Sequence, residues 1–252
     1  MCFDPSALPP DPVRSGALEG SERLVLTAAD GSPFAATLAR TRAPDAPGMV
    51  ILPDVRGLHP YYERLAEHVA DAGIHALAVD LYGRTAGAEH RDEGFDYAPH
   101  RAAARDEQVD LDTRAGVARL RELGAGPVVA MGFCFGGRAA LMQASGDAVD
   151  GVIGFYGWPA RQPEGSSSPM LEAQAGRVRV PVLAIFGGAD EGIGPDQVQG
   201  YERALTDAGA THESVTYPGA PHGFFDKAMS EHAQACRDAW ARVLAFVDGL
   251  SD

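Results

Sequence analysis

Three residues that could act together as a nucleophile, an acid and a base are spread over the second half of the chain. Cys134 lies within Gly132-Phe133-Cys134-Phe135-Gly136-Gly137, between a predicted strand and a predicted helix. Asp190 follows the predicted strand at 180–186, and His222 follows the one at 212–217. Because parallel strands end at one edge of a sheet, the sequence predicts that these side chains meet there.

The segment around Cys134 has the G-x-nucleophile-x-G pattern of a sharp strand-to-helix turn. Glycines on either side of the nucleophile allow strand and helix to approach closely, and the helix N-terminus favours a thiolate. The N–H of Phe135 would then be free to donate to an oxyanion. Two other interpretations fit the hexapeptide alone: a buried structural cysteine, or a dinucleotide fingerprint with Cys134 in place of its second glycine.

Asp190 and His222 strengthen the catalytic interpretation, because a carboxylate can fix the tautomer of an imidazole that deprotonates the thiol. The spacings are 56 and 32 residues, and the order nucleophile, acid, base is that of α/β-hydrolases. The other histidines show no metal-ligand spacing. The sequence therefore predicts a Cys-His-Asp triad that needs no metal and no cofactor.

Composition excludes several other classes of function. The chain has 252 residues, 45% hydrophobic, and a formal net charge of −14, which argues against nucleic-acid or anionic-membrane partners. The first twenty residues contain four prolines and no signal-peptide run, and three widely spaced cysteines do not form a disulfide framework. We therefore expect a cytoplasmic protein, monomeric or a small homo-oligomer, that acts on a small molecule.

The predicted elements that position these residues belong to one α/β domain, 1–252, in which 1–20 form an extended arm. A hairpin of strands 21–29 and 34–40 turns at Asp30-Gly31. Short apolar runs then alternate with helical patterns, which predicts a mostly parallel twisted sheet with helices on both faces. The remaining predicted strands are 49–52, 74–79, 127–131, 149–156, 180–186 and 212–217; the predicted helices are 61–72, 100–123, 137–144, 196–207 and 227–250; and 161–176 is predicted to be a surface loop.

Over residues 21–250 the chain resembles the dienelactone hydrolases. Besides the triad, the resemblance rests on three segments: Ile51-Leu52-Pro53-Asp54-Val55-Arg56-Gly57, Val79-Asp80-Leu81-Tyr82-Gly83-Arg84 and Pro218-Gly219-Ala220-Pro221-His222-Gly223-Phe224. The resemblance implies an α/β-hydrolase fold and cysteine-dependent hydrolysis of a lactone or ester. It also implies that Val55 N–H is the second oxyanion donor.

Two positions depart from the pattern of that family. Asp54 stands where the family has a glutamate that takes part in activating the nucleophile. Arg84 matches one of two arginines that hold the substrate carboxylate, but Asp226 stands where the other is expected. The sequence therefore predicts a different or broader ester or lactone substrate, with Arg56 and Arg138 as substitute cations.

Aromatic residues near the predicted strand ends complete the candidate acyl pocket. Tyr82, Trp158 and Phe224 are the predicted substrate contacts, with Trp158 the leading candidate, and His59 is a further candidate. Two alternatives to cysteine hydrolysis stay open at this point. One is a non-catalytic ligand-binding or redox-sensing member of the fold, and the other is a serine-type esterase reached by mutation, in which Cys134→Ser is tolerated.

Overall fold

The computed structural model describes residues 17–226 and 228–250, and its sheet starts with the predicted hairpin. Strands β1 (Leu18–Thr27) and β2 (Pro33–Thr41) pair antiparallel across a turn in which Gly31 has a φ of +83°. Strand β1 begins three residues earlier than predicted, within the expected arm. Residues 1–16 of that arm lie outside the described part of the chain.

Six further strands extend this sheet, and all six run parallel to one another. They are β3 (Gly48–Leu52), β4 (His75–Val79), β5 (Val128–Phe133), β6 (Gly151–Phe155), β7 (Val182–Gly187) and β8 (His212–Tyr217). The strand order is β1-β2-β4-β3-β5-β6-β7-β8, with β2 antiparallel to β4. Strands β3, β5, β6 and β7 are buried along their whole length, as expected of strands covered on both faces.

Eight α-helices accompany the strands in the described residues. They are α1 (Pro60–Asp71), α2 (Gly83–Ala86), α3 (Tyr97–Ala103), α4 (Asp106–Glu122), α5 (Phe135–Met142), α6 (Pro169–Gln174), α7 (Pro195–Asp207) and α8 (Ala233–Asp248). A side chain at Gly151 of β6 would meet Phe246 of α8, whereas one at Gly154 would meet Leu141 of α5. The two glycines are three positions apart, and successive side chains of a strand point to opposite faces, so the two helices cover opposite faces of the sheet.

Three predicted elements differ from the structure by more than three residues at an end or in type. The predicted helix 100–123 is divided into α3 and α4, because Ala104 and Arg105 have extended backbones with ψ values of 140° and 145°. The predicted helix 227–250 begins only at Ala233. The segment 161–176, predicted as a loop, contains α6, which starts with a Ser168 cap and a proline in its first turn.

Candidate active site

Cys134 lies between β5 and α5 in a backbone conformation that side chains rarely adopt. Its φ and ψ are +54° and −111°, and its N–H donates to the carbonyl of Phe155 at 3.0 Å. A non-glycine residue in this region costs about 1–3 kcal/mol and persists only where the surrounding structure enforces it. The turn therefore has the strain expected of a nucleophile held above the sheet.

The glycines around Cys134 allow this turn to form. A Cβ atom on Gly132 would collide with the carbonyl of Gly136, and one on Gly136 would collide with the carbonyls of Leu52 and Pro53. Strand β5, helix α5 and the end of β3 are thus closer than any side chain would permit. The predicted reason for the glycine pattern is confirmed by these contacts.

Asp190 and His222 form a hydrogen-bonded pair at the same edge of the sheet. The Nδ1 of His222 is 2.6 Å from Oδ2 of Asp190, and the other carboxylate oxygen accepts the N–H groups of Gly192 and Ile193 at 2.8 and 3.2 Å. Burial alone would raise the pKa of Asp190, but the hydrogen bond and charge of His222 and these two N–H groups together lower it. The carboxylate is therefore held ionised against the imidazole.

The second ring nitrogen of His222 is the one that could exchange a proton with a nucleophile. This Nε2 is buried and has no hydrogen-bond partner among the described residues. The ring itself is held by aromatic neighbours, with ring centres 5.0 Å from Tyr156 and 4.7 Å from Trp158. The imidazole is thus oriented on one side by Asp190 and on its faces by aromatic rings.

Two backbone N–H groups could stabilise an oxyanion beside Cys134. Phe135 is the first residue of α5, so its N–H has no acceptor within the helix. Val55 follows β3 in the neighbouring loop, and neither N–H has an acceptor in the described residues. The hydroxyl of Tyr82 donates to the carbonyl of Val55 at 3.0 Å, and its ring stacks 6.4 Å from that of Phe135. Tyr82 therefore contacts both candidate donor residues.

Cys236 provides a contrast within the same chain. Its thiol is buried in α8 and donates to the carbonyl of Phe224 at 3.4 Å, and burial raises its pKa to about 12. Cys134 is only half-buried, and neither cysteine forms a disulfide in the described residues. Cys236 is a structural thiol, whereas Cys134 lies where a solvent-borne molecule can reach it.

A cavity of about 580 Å³ borders these residues. Among its lining residues are Val55, Phe135, which follows Cys134, and Trp158, whose ring packs on that of His222. Its other lining residues include four arginines and three acidic residues: Arg101, Arg105, Arg138, Arg161, Asp106, Glu107 and Glu164. The cavity wall thus carries a slight positive charge within a chain of net charge −14.

Asp54 does not line the cavity, and its carboxylate forms an ion pair with Arg56. The guanidinium of Arg56 donates to both oxygens of Asp54 at 2.5–3.0 Å and to Asp226 at 3.0 Å. Both carboxylates are buried. Desolvation alone would lower the pKa of Arg56, but Tyr62, Asp54 and Asp226 together raise it above its usual value. Asp226, expected to repel a substrate carboxylate, is instead part of this buried ion cluster.

Arg84 and Arg138, two of the cations considered from the sequence, are also committed to carboxylates. Arg84 pairs with Asp30 at 2.9 Å and with Asp112 at 2.7 Å, and it does not line the cavity. Arg138 lines the cavity but is almost fully buried and forms a two-pronged ion pair with Asp106 at 2.7 and 2.9 Å. Neither guanidinium is available to bind a substrate without losing these partners.

The aromatic candidates are divided between the cavity and the core. Trp158 lines the cavity and donates its Nε1–H to Gly192 at 3.2 Å. Tyr82 and Phe224 are buried and do not line the cavity; Phe224 packs against Tyr156. His59 caps helix α1 and is buried, and burial lowers its pKa.

Sequence reasoning missed Arg101 and Arg161 as cavity residues. Arg101 lies in α3, where the sequence predicts one longer helix over 100–123, and Arg161 lies in the segment that is predicted to be a surface loop. An arginine next to predicted loops is a weak signal, so only the folded arrangement identifies them.

Among residues 17–226 and 228–250, no three His, Cys, Asp or Glu side chains are grouped as metal ligands.

The sheet order, the helices on its two faces and the turn at Cys134 define the chain as an α/β-hydrolase. Its sequence matches the dienelactone hydrolase family over residues 34–250, and the chain belongs to that family. It is a dienelactone hydrolase-like hydrolase whose substrate is a small molecule. None of the helices in the described part of the chain is long and apolar enough to cross a membrane.

The curated relatives carry the name "Putative carboxymethylenebutenolidase". The one from Methylorubrum extorquens is 29% identical over 226 residues, covering 85% of this chain and 72% of its own. The one from Salmonella typhimurium is 28% identical over 257 residues, covering 97% and 94%. Both matches extend over most of each protein, so the similarity concerns the whole domain.

Solved structures show the same fold at lower identity. A structure titled as a putative dienelactone hydrolase from Klebsiella pneumoniae has a TM-score of 0.77 and 24% identity, covering 91% of this chain and 99% of that one. A puromycin-hydrolyzing peptidase from Mycobacterium tuberculosis has a TM-score of 0.72 and 18% identity, covering 91% and 39%. The fold is therefore shared with hydrolases of different length.

Proposed function

We propose that the protein hydrolyses lactones or activated esters through a Cys134–His222–Asp190 triad and a thioester intermediate. The observation that carries this proposal is that the hydrogen-bonded pair of Asp190 and His222 and a cysteine held at a φ of +54° lie at the same edge of the sheet. A structural cysteine such as Cys236 has neither feature. We also propose that the protein acts in the cytoplasm, because a reducing compartment keeps a reactive thiol from being oxidised.

The first half of the reaction acylates Cys134. The thiolate attacks the carbonyl carbon, and the N–H groups of Phe135 and Val55 donate to the oxyanion that develops. When the tetrahedral intermediate collapses, the carbon–oxygen bond of the ester breaks and His222 gives its proton to the leaving alkoxide or enolate. The products are an alcohol or enol and an acyl group bound to sulfur. In a lactone both remain in one molecule.

The second half removes the acyl group with water. His222, now neutral, takes a proton from the water, and the resulting hydroxide attacks the thioester carbon. The carbon–sulfur bond breaks, the carboxylic acid leaves, and the thiolate–imidazolium pair is restored. Asp190 keeps the Nδ1–H of the imidazole directed at itself throughout, so that Nε2 carries the proton in transit. Good leaving groups suit this nucleophile, because a thiolate leaves a tetrahedral intermediate more readily than an amine.

Replacement of the thiol tests the proposal. We expect Cys134→Ala to lower kcat for 4-nitrophenyl acetate by about 10⁴-fold or more. The matched control is Cys236→Ala, which also removes a thiol and should keep kcat within about threefold, since a buried core substitution acts on stability rather than on the reaction. Retention of most activity by Cys134→Ala would exclude the cysteine mechanism.

The same assay separates the two alternatives. A non-catalytic binding or redox-sensing protein would show no turnover of esters or lactones in the unmodified chain. A chain suited to a serine nucleophile would keep or gain activity on Cys134→Ser, whereas we expect that variant to lose at least about 10²-fold in kcat. Thiol reactivity adds a check: iodoacetamide should alkylate a thiol paired with an imidazole well below pH 8.

A further inference from the structure

Trp158 contacts both the segment that carries the acid and the ring of the base. Its Nε1–H donates to the carbonyl of Gly192 at 3.2 Å. Its ring centre is 4.7 Å from that of His222, and the two ring planes are inclined by 34°. Because Trp158 also lines the cavity, one side chain borders both the acid–base pair and the space open to a substrate.

Gly192 connects the indole of Trp158 to the carboxylate of Asp190. The N–H of Gly192 donates to Oδ1 of Asp190 at 2.8 Å, while its carbonyl accepts from Trp158. A Cβ atom on Gly192 would lie 3.3 Å from both Oδ1 of Asp190 and Nε1 of Trp158. Oδ2 of Asp190 is 2.6 Å from Nδ1 of His222, whose ring packs on that of Trp158. The four residues therefore form a closed loop of contacts.

The backbone that carries Trp158 is fixed by contacts outside this loop. The N–H of Tyr156, a residue with a φ of +39°, donates to a carbonyl of β7 at 2.7 Å. Gly157 lies so close to α5 that a Cβ atom there would be 2.4 Å from a carbonyl carbon of that helix. Trp158 thus projects from a backbone packed on the sheet and on α5, whereas the acid and the base lie in loops that follow β7 and β8.

The indole links the acid loop to a different strand from the one it follows. The carbonyl of Gly192 also accepts from Gln197 at 3.4 Å, but Gln197 belongs to α7, which comes directly after this loop. Trp158 instead joins the loop to the end of β6. Since a displacement of about 1 Å in a reacting geometry can cost about 10²-fold in rate, a link of this kind affects the reaction without touching the reacting atoms.

We propose that Trp158 is a positioning residue that keeps the carboxylate of Asp190 aligned with the imidazole of His222 during hydrolysis. This inference rests on the proposed function. Trp158 acts through these two residues, so it affects the rate of the chemical steps and not the affinity for the ester. This role differs from the substrate contact that the sequence predicts for Trp158, which would act on affinity.

The first test separates the N–H of Trp158 from its ring. Trp158→Phe keeps an aromatic ring but loses the donor, and Trp158→Leu loses both. For 4-nitrophenyl acetate we expect kcat to fall about three- to tenfold in Trp158→Phe and about 10²-fold in Trp158→Leu, with KM changed by less than about threefold. Trp158→Leu with a kcat within threefold of the unmodified chain, or with a rise in KM that exceeds the fall in kcat, would overturn the proposal.

The matched control for this test is the second tryptophan of the chain. Trp240→Phe removes a buried Nε1–H that has no hydrogen-bond partner among the described residues. Because this substitution removes the same group without touching the acid loop, it should keep kcat within about twofold. A loss in Trp240→Phe as large as that in Trp158→Phe would show that the N–H of Trp158 has no special role.

The second test asks whether Trp158 acts through Asp190. If it does, Trp158→Leu has little left to disturb once the carboxylate has been replaced. We expect Trp158→Leu to lower kcat by about fivefold or less when it is added to Asp190→Asn, compared with about 10²-fold in the unmodified chain. A residue that only contacts the substrate would cost the same in both backgrounds, so a larger loss in the double variant would refute the proposal.

The third test does not depend on turnover. The N–H groups of Gly192 and Ile193 donate to Asp190 and should exchange with solvent faster once the loop is released. By hydrogen–deuterium exchange mass spectrometry, we expect residues 188–194 to exchange about fivefold faster in Trp158→Leu, relative to a peptide from β5 that corrects for a general loss of stability. An unchanged ratio would contradict the positioning role. Failure of the proposed function alone, with no ester hydrolysis by the unmodified chain, would leave this result intact.

Discussion

The backbone of Cys134 and the side chain of His222 illustrate how the surrounding structure fixes single residues of the candidate site. Cys134 has a strained φ of +54° that neighbouring glycines permit, and His222 is held by Asp190 at 2.6 Å. The strain at Cys134 would relax in a loop that was not packed between β3, β5 and α5. The local arrangement therefore depends on the sheet, although each residue is recognisable in the sequence.

Asp190→Asn tests the role of the carboxylate. The amide of asparagine can donate a hydrogen bond to Nδ1, so it stabilises the wrong tautomer of His222 and leaves Nε2 protonated. We expect kcat for 4-nitrophenyl acetate to fall by about 10²–10⁴-fold with little change in KM, by comparison with the loss in a serine triad. Asp196→Asn, on the exposed start of α7, is the matched control. A loss of less than threefold would show that Asp190 does not orient the imidazole.

At the scale of the elements, the loops that follow the strands are connected by buried ions. Arg56 links the loop after β3 to Asp226 in the segment before α8. Asp80, after β4, accepts the N–H groups of Leu58 and Tyr82 and pairs with Arg91. These links fix the loops after β3 and β4, which carry Val55 and Tyr82, relative to each other and to the segment before α8.

Arg56→Met tests this connection. Methionine keeps much of the apolar length of the side chain but removes the guanidinium that the buried carboxylates of Asp54 and Asp226 share. We expect the free energy of unfolding to fall by about 3–5 kcal/mol. Arg203→Met, at an exposed position in α7, should change it by less than about 0.5 kcal/mol. Urea denaturation measures both, and a change of less than 1 kcal/mol for Arg56→Met would show that the cluster contributes little.

The sequence predicts the strands well, and it places Cys134, Asp190 and His222 after strands of one sheet, because these signals are local. Apolar runs and glycines at the turn of Cys134 depend on few neighbours, and β8 is found at its predicted bounds, 212–217. The pairing of Arg56 with Asp226 joins residues 170 positions apart, and the break between α3 and α4 depends on an extended backbone at Arg105 that the apolar pattern does not encode. Arg101 and Arg161 were missed because only the folded chain brings them to the cavity.

At the scale of the whole molecule, a net charge of −14 is combined with many arginine–carboxylate pairs. The pair of Asp106 with Arg138 joins α4 to α5. Burial alone would raise the pKa of Asp106, but hydrogen bonds from Arg138 and Ser166 and the charge of Arg138 lower it below the usual 3.8. Its stabilising effect is therefore present above pH 3.8 and is lost as the pH falls through the lower pKa of the folded state.

Asp106→Asn tests this dependence on pH. At pH 7 we expect the variant to unfold with a free energy lower by about 1.5–3 kcal/mol, because a charged hydrogen-bond partner of Arg138 is lost. This difference should shrink as the pH falls below 4, since protonation then removes the same interaction from the unmodified chain. Urea denaturation between pH 3 and 7 measures both proteins. A difference that does not depend on pH would contradict the ionic role of Asp106.

The most direct measurement of the central proposal is the mass of the protein during reaction with an activated ester. In His222→Gln, acylation by 4-nitrophenyl acetate should outpace deacylation, because no base remains to activate water. We predict that the chain gains one acetyl group, that peptide mapping places it on Cys134, and that hydroxylamine removes it as expected of a thioester. Ester hydrolysis by the unmodified chain without any acyl group on Cys134 in this variant, or an acyl group on another residue, would contradict the account.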